Sequence, residues 1–323
     1  MRVFDAIAAL PGPLYIVGSC KNAGKTTLLN LLNAELYARL RTPIGLTTIG
    51  RDGEPEDVIW HHPKPPVRLL RGNYFVTTED EMARLGASAF QVEMLPFSTP
   101  LGRMAIGRAA KEATVEIIGP DTNRQVWTVV ERLQKLGCSH QLIDGAFERR
   151  TQAASHDGAR LALVVSADVA PDPGRIARWF GYQVELFTLP KVPVDLSPPP
   201  DLPLGLYWRR EGKWQDKPAG ADAACAIGPL TDTVADPHLE TLRRMPLIVE
   251  DATKMFITHP LWRRLKRTSP GVFVMRRLRL VMAASNPLGL LRRFEGRELF
   301  DALAKIAPDV PLLDVVANVS HES

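Results

Sequence analysis

Apolar positions in this chain fall into short runs and helical stripes that alternate along its length. Residues 14–17 form a short apolar run, and residues 27–40 carry Leu28, Leu32, Leu36 and Leu40 at helical spacing before Arg41-Thr42-Pro43 ends the pattern. Residues 44–49 read as the next strand. Strand, helix, strand of this length predicts a right-handed crossover with parallel strands. Strands are expected over 74–77 and 89–95, a short helix over 79–85, and a hairpin from 104–106 and 115–118, closed by Gly119-Pro120-Asp121. The stretch 123–136 is strongly amphipathic, with Val126, Val130, Leu133 and Leu136 on one face and Gly137 after its end. It delivers the chain to 140–144, an apolar strand ending in Asp144-Gly145. Strands over 161–166 and 184–189 then flank a helix over 174–180.

Residues 191–204 hold five prolines and read as a linker. Beyond them come a strand pair around Leu206 and Trp214, a helix over 237–245 and a strand over 247–251. A long strand over 273–282, a helix over 297–306 and a last strand over 312–316 complete the pattern. The expected fold class is α/β: a mostly parallel sheet flanked by helices over 1–190, the linker 191–204, and a C-terminal α/β region over 205–323. That last region either stands apart or continues the first sheet.

Composition changes this picture little. The chain has 323 residues, 45% hydrophobic and 24% charged, enough for a substantial core. Its net charge of +4 is a mild excess that does not by itself imply nucleic acid. Basic residues do bunch at Arg263, Arg264, Lys266, Arg267, Arg276, Arg277, Arg279, Arg292 and Arg293, beside Trp262 and Phe294. A solvated face, or one meeting an acidic protein partner, is the preferred reading over a nucleic-acid surface. Cys20, Cys138 and Cys225 are odd in number and widely spaced, which gives neither a disulfide framework nor a zinc pattern and fits a reducing cytoplasm. His61 and His62 are adjacent and lack companions at ligand spacing, so they read as a plain loop. No apolar run is long enough to span a membrane, and Asp5 with Pro11-Gly12-Pro13 interrupts anything like a signal peptide.

One stretch carries chemistry: Ile16-Val17-Gly18-Ser19-Cys20-Lys21-Asn22-Ala23-Gly24-Lys25-Thr26-Thr27. An apolar strand, a glycine-flanked polar loop, Gly-Lys-Thr and a helix start make the layout of a phosphate-binding P-loop. Backbone N–H groups over 18–27 can curl around a phosphate, and the helix N-terminus adds partial positive charge. Lys25 would reach the β/γ-phosphates of ATP and the Thr26 hydroxyl would ligate Mg2+. Five residues separate Gly18 from Gly24 instead of four, so Ser19 takes the first glycine's place. The loop therefore reads as the deviant variety, Lys-x-x-Gly-Lys-Thr, with Lys21 as an additional signature lysine. Asp144, at the end of a strand that follows a crossover helix, reads as the Walker B acid that holds Mg2+. Glu148, Arg149 and Arg150 follow at once and are either a nucleotide-sensing switch or a solvated charged turn. Small GTPases read guanine through Asn-Lys-x-Asp or Thr-Lys-x-Asp. The candidate strand end here is Ser166-Ala167-Asp168-Val169, without the lysine, which favours ATP over GTP.

Beyond the loop, several motifs resemble one family: Thr48-Ile-Gly-Arg-Asp52-Gly-Glu54, Ser98-Thr-Pro-Leu-Gly102, Ile143-Asp144-Gly-Ala146 with Arg149-Arg150, and Glu185-Leu-Phe-Thr-Leu-Pro190. Glu250-Asp-Ala-Thr-Lys254 and Asn286-Pro-Leu-Gly289 belong with them. Together with the Lys21–Thr26 signature they resemble the P-loop subunits of reactivases for adenosylcobalamin-dependent lysine 5,6-aminomutase. That resemblance implies an ATP-driven chaperone that releases damaged cobalamin from an aminomutase, working with a second subunit similar to a mismatch-repair ATPase. It implies that Lys25, Lys21 and Thr26 bind phosphate and Mg2+, that Asp144 is the Walker B acid, and that Asp52 orients the attacking water. A signature lysine of this kind often works across a nucleotide-sandwich dimer, so an oligomer is expected. Two other classes share the deviant loop: ATP-dependent biosynthetic enzymes of the dethiobiotin-synthetase or cobyric-acid type, and chromosome-partition ATPases.

Overall fold

Runs that are apolar at nearly every position can be satisfied only by burial on both faces, and residues 161–165 are such a run. They lie inside a ten-stranded, mostly parallel sheet. The computed structural model of the protein describes residues 3–49, 66–145, 157–267, 269–317 and 320–321. In chain order the strands of this sheet are β1 (Gly12–Gly18), β2 (Ile44–Thr48), β3 (Tyr74–Thr78), β4 (Ala89–Thr99) and β5 (Gly102–Ala109). They continue with β6 (His140–Asp144), β7 (Arg160–Ser166), β8 (Arg279–Asn286), β9 (Leu312–Asp314) and β10 (Ser320–His321). Across the sheet the order is β10-β9-β8-β7-β1-β6-β2-β3-β5-β4. β1 runs parallel to both β6 and β7, and β2 parallel to β6 and β3, so their carboxyl ends share one edge. The antiparallel pairs β3/β5, β5/β4 and β9/β10 lie toward the two sides.

Helices cover both faces because side chains alternate along each strand. Leu14, Ile16, Leu46, Phe75, Leu142 and Val164 pack in one cluster with Leu28, Leu29, Leu32 and Leu36 of the Lys25–Arg39 helix. The next residues along, Val76 and Ile106, pack instead with Val129 and Leu133 of the Asn123–Lys135 helix. All four leucines of the first helix are fully buried. At about 1.5–3 kcal/mol each, they hold that helix in place whatever its ends contribute.

By contact density the chain divides into two compact units: Met1–Ser155 with Arg160–Ala177 and Leu280–Ser323, and His156–Ala159 with Arg178–Arg279. This is not the division 1–190, 191–204 and 205–323 expected from composition. Residues after 280 return to the first sheet, and the proline-rich 191–204 stretch lies within the second unit. There Val192 is buried and donates its N–H to the Val274 carbonyl at 2.9 Å. The second unit has a five-stranded sheet ordered Lys213–Gln215, Gly205–Arg210, Ala223–Ile227, Leu247–Val249, Val272–Val274, the last three parallel. Fully buried Trp208 and Trp262 belong to its core.

Three further expectations are corrected. Residues 184–189 are not a strand: the helix Pro173–Phe187 continues through Phe180, Gln183 and Leu186, which are buried at three-residue spacing. The expected long strand over 273–282 is two strands in different units, Val272–Val274 and β8. Between them Arg276 turns aside to pair with Glu250 and Asp251, at 3.1 and 3.0 Å. The hairpin is formed by β4 and β5, joined through a tight turn with Gly102 at φ 131°; Ala113–Val115 pairs instead with Val67–Leu69.

Candidate functional site

The loop that follows β1 sits where a crossover strand order concentrates loops, at the carboxyl edge between β6 and β7. Gly18 ends the strand at a place with no room for a side chain: a Cβ there would lie 2.9 Å from the Ala23 Cβ and 3.2 Å from Lys25 Cγ. Ser19 is buried and anchors the loop to β7. Its N–H donates to the Val164 carbonyl at 2.8 Å, and its hydroxyl accepts the Ser166 N–H at 2.9 Å. Cys20 is half-buried, and burial pushes its thiol above the ordinary value, which leaves it a wall of the loop and not a thiolate nucleophile. Lys21 is exposed. Asn22 and Gly24 both adopt the left-handed region, at φ 57° and 100°, on either side of the fully buried Ala23.

Gly24 is the residue that caps the Lys25–Arg39 helix, with no side chain accepting from the first-turn amides and no acidic residue in that turn. A helix start left this way presents N–H groups and partial positive charge outward, which is what an anion binds. Lys25 is the first helical residue and makes no ion pair among the described residues. Thr27, next but one, is exposed.

Parallel pairing of β1 with β6 places Ile16 opposite Asp144. The chain after Asp144 then passes the loop, with the Gly145 N–H donating to the Ile16 carbonyl at 2.9 Å. Thr26, the second residue of the helix, donates its hydroxyl to Asp144 Oδ2 at 3.0 Å, although they lie 118 positions apart in the chain. Asp144 is 7% exposed, and its backbone carbonyl accepts from the Thr48 hydroxyl and the Ile49 N–H, both at 2.9 Å. Thus β1, β6 and the end of β2 bring the lysine, the threonine and the aspartate together at one edge. The donor set beside the lysine, a hydroxyl and a carboxylate, consists of hard oxygens, which suit Mg2+. Asp52, Glu148, Arg149, Arg150 and the His61-His62 pair lie outside the described residues.

Two residues with no assigned role in the sequence reading join this edge. Asn286, at the end of β8 and 7% exposed, donates its amide to the Ala23 carbonyl at 2.9 Å, and its Oδ1 accepts the Leu288 N–H at 3.1 Å. Asp168 accepts three backbone N–H groups, from Leu290 at 2.7 Å and from Leu291 and Arg292 at 2.9 Å each. The signal for Asn286 was present, since an asparagine before proline at the end of an apolar run marks a strand's end. What it touches depends on the β8–β7–β1 order, which local pattern does not encode. Comparison with protein-family models, curated proteins and solved structures found no match to this chain.

Proposed function

We propose that this chain is an Mg2+-dependent ATPase that powers a reactivating chaperone for an adenosylcobalamin-dependent aminomutase. The observation that carries the nucleotide reading is the Gly24-Lys25-Thr26 helix start, uncapped and joined through Thr26 to the carboxylate of Asp144. In that reading the amides of the loop and first helical turn hold the phosphates, and the Lys25 ammonium draws charge off the β/γ-phosphates as it develops. Thr26 and Asp144 would hold Mg2+, which supplies Lewis-acid neutralisation of the phosphate oxygens when bound. Asn286 and Ser19 keep the loop in register with the neighbouring strands. Asp52 is assigned the orientation of the attacking water by resemblance. ATP is favoured over GTP because the Asp168 carboxylate is occupied by three amides of its own chain and lacks the accompanying lysine.

The client rests on the resemblance of the motifs from Thr48 to Gly289, and so does a second subunit similar to a mismatch-repair ATPase. Purified protein should hydrolyse MgATP, and Lys25→Ala and Asp144→Ala should each cut turnover by about a hundredfold or more; undiminished turnover in both variants refutes the site. Addition of the protein, its partner subunit and MgATP to an aminomutase holding damaged cobalamin should restore activity. ATP turnover that requires a small carboxylate, with no effect on the aminomutase, would replace the chaperone reading with that of a ligase.

A further inference from the structure

The segment behind Asn286 has a surface that the nucleotide chemistry does not use. Leu288, Leu290 and Leu291 are 41%, 42% and 65% exposed within four residues, in a protein whose leucines are mostly buried. Their backbone is nevertheless tightly held. Asp168 takes the three N–H groups of Leu290, Leu291 and Arg292, the Phe294 N–H donates to the Pro287 carbonyl at 3.0 Å, and Leu288 bridges to Arg293. A loop whose backbone is already fixed adds little loop-ordering cost when its side chains are covered.

Two hydrogen-bonded routes tie this loop to the phosphate-binding loop. One is direct: Asn286 holds the Ala23 carbonyl with one end of its amide and the Leu288 N–H with the other. The second runs from the Ser19 hydroxyl to the Ser166 N–H, from the Asp168 N–H to the Ser166 hydroxyl at 3.2 Å, and from the Asp168 carboxylate to the leucine loop. Gly24 leaves no slack between them, because a Cβ there would lie 2.9 Å from Asn286 Nδ2.

Resting on the ATPase reading above, we propose that the 286–293 loop displays the state of the nucleotide site to a protein partner, and that Asn286 is the positioning residue that couples the two. The partner's face is apolar at its centre and bordered by carboxylates, because Arg292 and the exposed Arg293 follow the leucines and Arg293 makes no ion pair among the described residues. A second copy of this chain fits poorly, since a two-fold contact through this patch would set the same arginines against each other.

Hydrogen exchange at the amides of Leu290 to Arg292, with and without saturating MgADP or a non-hydrolysable ATP analogue, tests the coupling. Nucleotide should change their exchange roughly five- to tenfold in the wild type. Asn286→Asp keeps the acceptor for Leu288 and removes the donor to Ala23, so it should abolish that change at saturating nucleotide. A purely structural turn would leave the change intact in this variant, and that result overturns the coupling. A wild type that binds nucleotide without altering these amides overturns it too. A wild type that binds no nucleotide instead defeats the ATPase reading.

Docking is tested with purified aminomutase and nucleotide-loaded protein. Leu291→Asp and Arg293→Glu should each weaken binding about tenfold or more while nucleotide affinity stays unchanged. Equal binding by both variants, or no binding by the wild type, overturns the docking surface. So does co-sedimentation with phosphatidylserine vesicles that is lost in the same variants, which would make it a membrane-facing patch.

Discussion

Two helices of the first unit begin in opposite ways. At the start of the Asn123–Lys135 helix, Thr122 accepts the Gln125 N–H at 3.3 Å, and the Gln125 side chain accepts the Thr122 N–H at 3.2 Å. This is a complete capping box, in which two of the exposed donors at the helix start are satisfied by its own side chains. At the start of the Lys25–Arg39 helix the cap is Gly24, left-handed and without a side chain to offer. Its orphan donors point outward and the next side chain is a lysine. Packing permits the omission. Four fully buried leucines contribute several times the roughly 1 kcal/mol that a good cap is worth. If the ATPase reading holds, the uncapped start is where the helix gives up cap stability in favour of an anion.

The largest expected difference between the two ends is in activity. Lys25→Ala should reduce ATP turnover by roughly a hundred- to a thousandfold, the effect of removing one preorganised charge stabiliser. Its thermal midpoint should hardly move, because Lys25 makes no ion pair among the described residues. Turnover that survives this change would erase the distinction between the two helix starts.

A pair of glycines sharpens the comparison. Gly24 and Gly137 both have left-handed φ, 100° and 86°, and alanine at either should cost about 1–2 kcal/mol of stability. Only Gly24 is crowded, by Asn286, while a Cβ at Gly137 meets nothing within 4 Å. Gly24→Ala should therefore also weaken nucleotide binding, measured by titration with a fluorescent ATP analogue, and Gly137→Ala should not.

Much of this edge could be read from the chain. The order apolar run, Gly18 to Gly24, Lys25, Thr26, leucine stripe is local, and local periodicity encodes local structure. The place of Asp144 at a strand end was legible because a crossover helix and a short strand centred on Leu142-Ile143 led to it. The errors came where register and partner choice are long-range. Val272–Val274 and β8 follow each other closely, with Arg276-Arg277 between them, yet they join different sheets, and which sheet each joins is not encoded locally. Asn286 and Asp168 acquire roles only through strand order. Residues 184–189 alternate well enough to pass as a strand, but the helix before them meets no proline and simply continues.

Smaller effects are expected at the capped end. Thr122→Ala removes the acceptor for the Gln125 N–H and should cost about 1 kcal/mol in denaturant unfolding, with ATP turnover unchanged. A turnover defect here would mean that the capped helix also serves the site.

The smallest effect concerns the strand that the capped helix feeds. β6 begins at His140 and ends at Asp144, so one strand joins the end fed by the capped helix to the proposed Mg2+ ligand. Burial lowers the His140 pKa below its ordinary 6.5, and the charge of Arg160 pushes the same way. Its ring stays within hydrogen-bond distance of the Ile7 carbonyl, at 3.2 Å, and of the Ser139 hydroxyl, at 2.9 Å. A histidine held neutral in the fold is protonated first in the unfolded chain. Its contribution to stability is therefore complete above pH 6.5 and is lost as pH falls from there toward the lower folded-state pKa. The thermal midpoint should fall on acidification from pH 7 to about pH 5, before the carboxylates titrate, and His140→Gln should flatten that slope. An unchanged slope in the variant would mean that His140 is not the group responsible, and that this end of β6 is not distinguished by its proton.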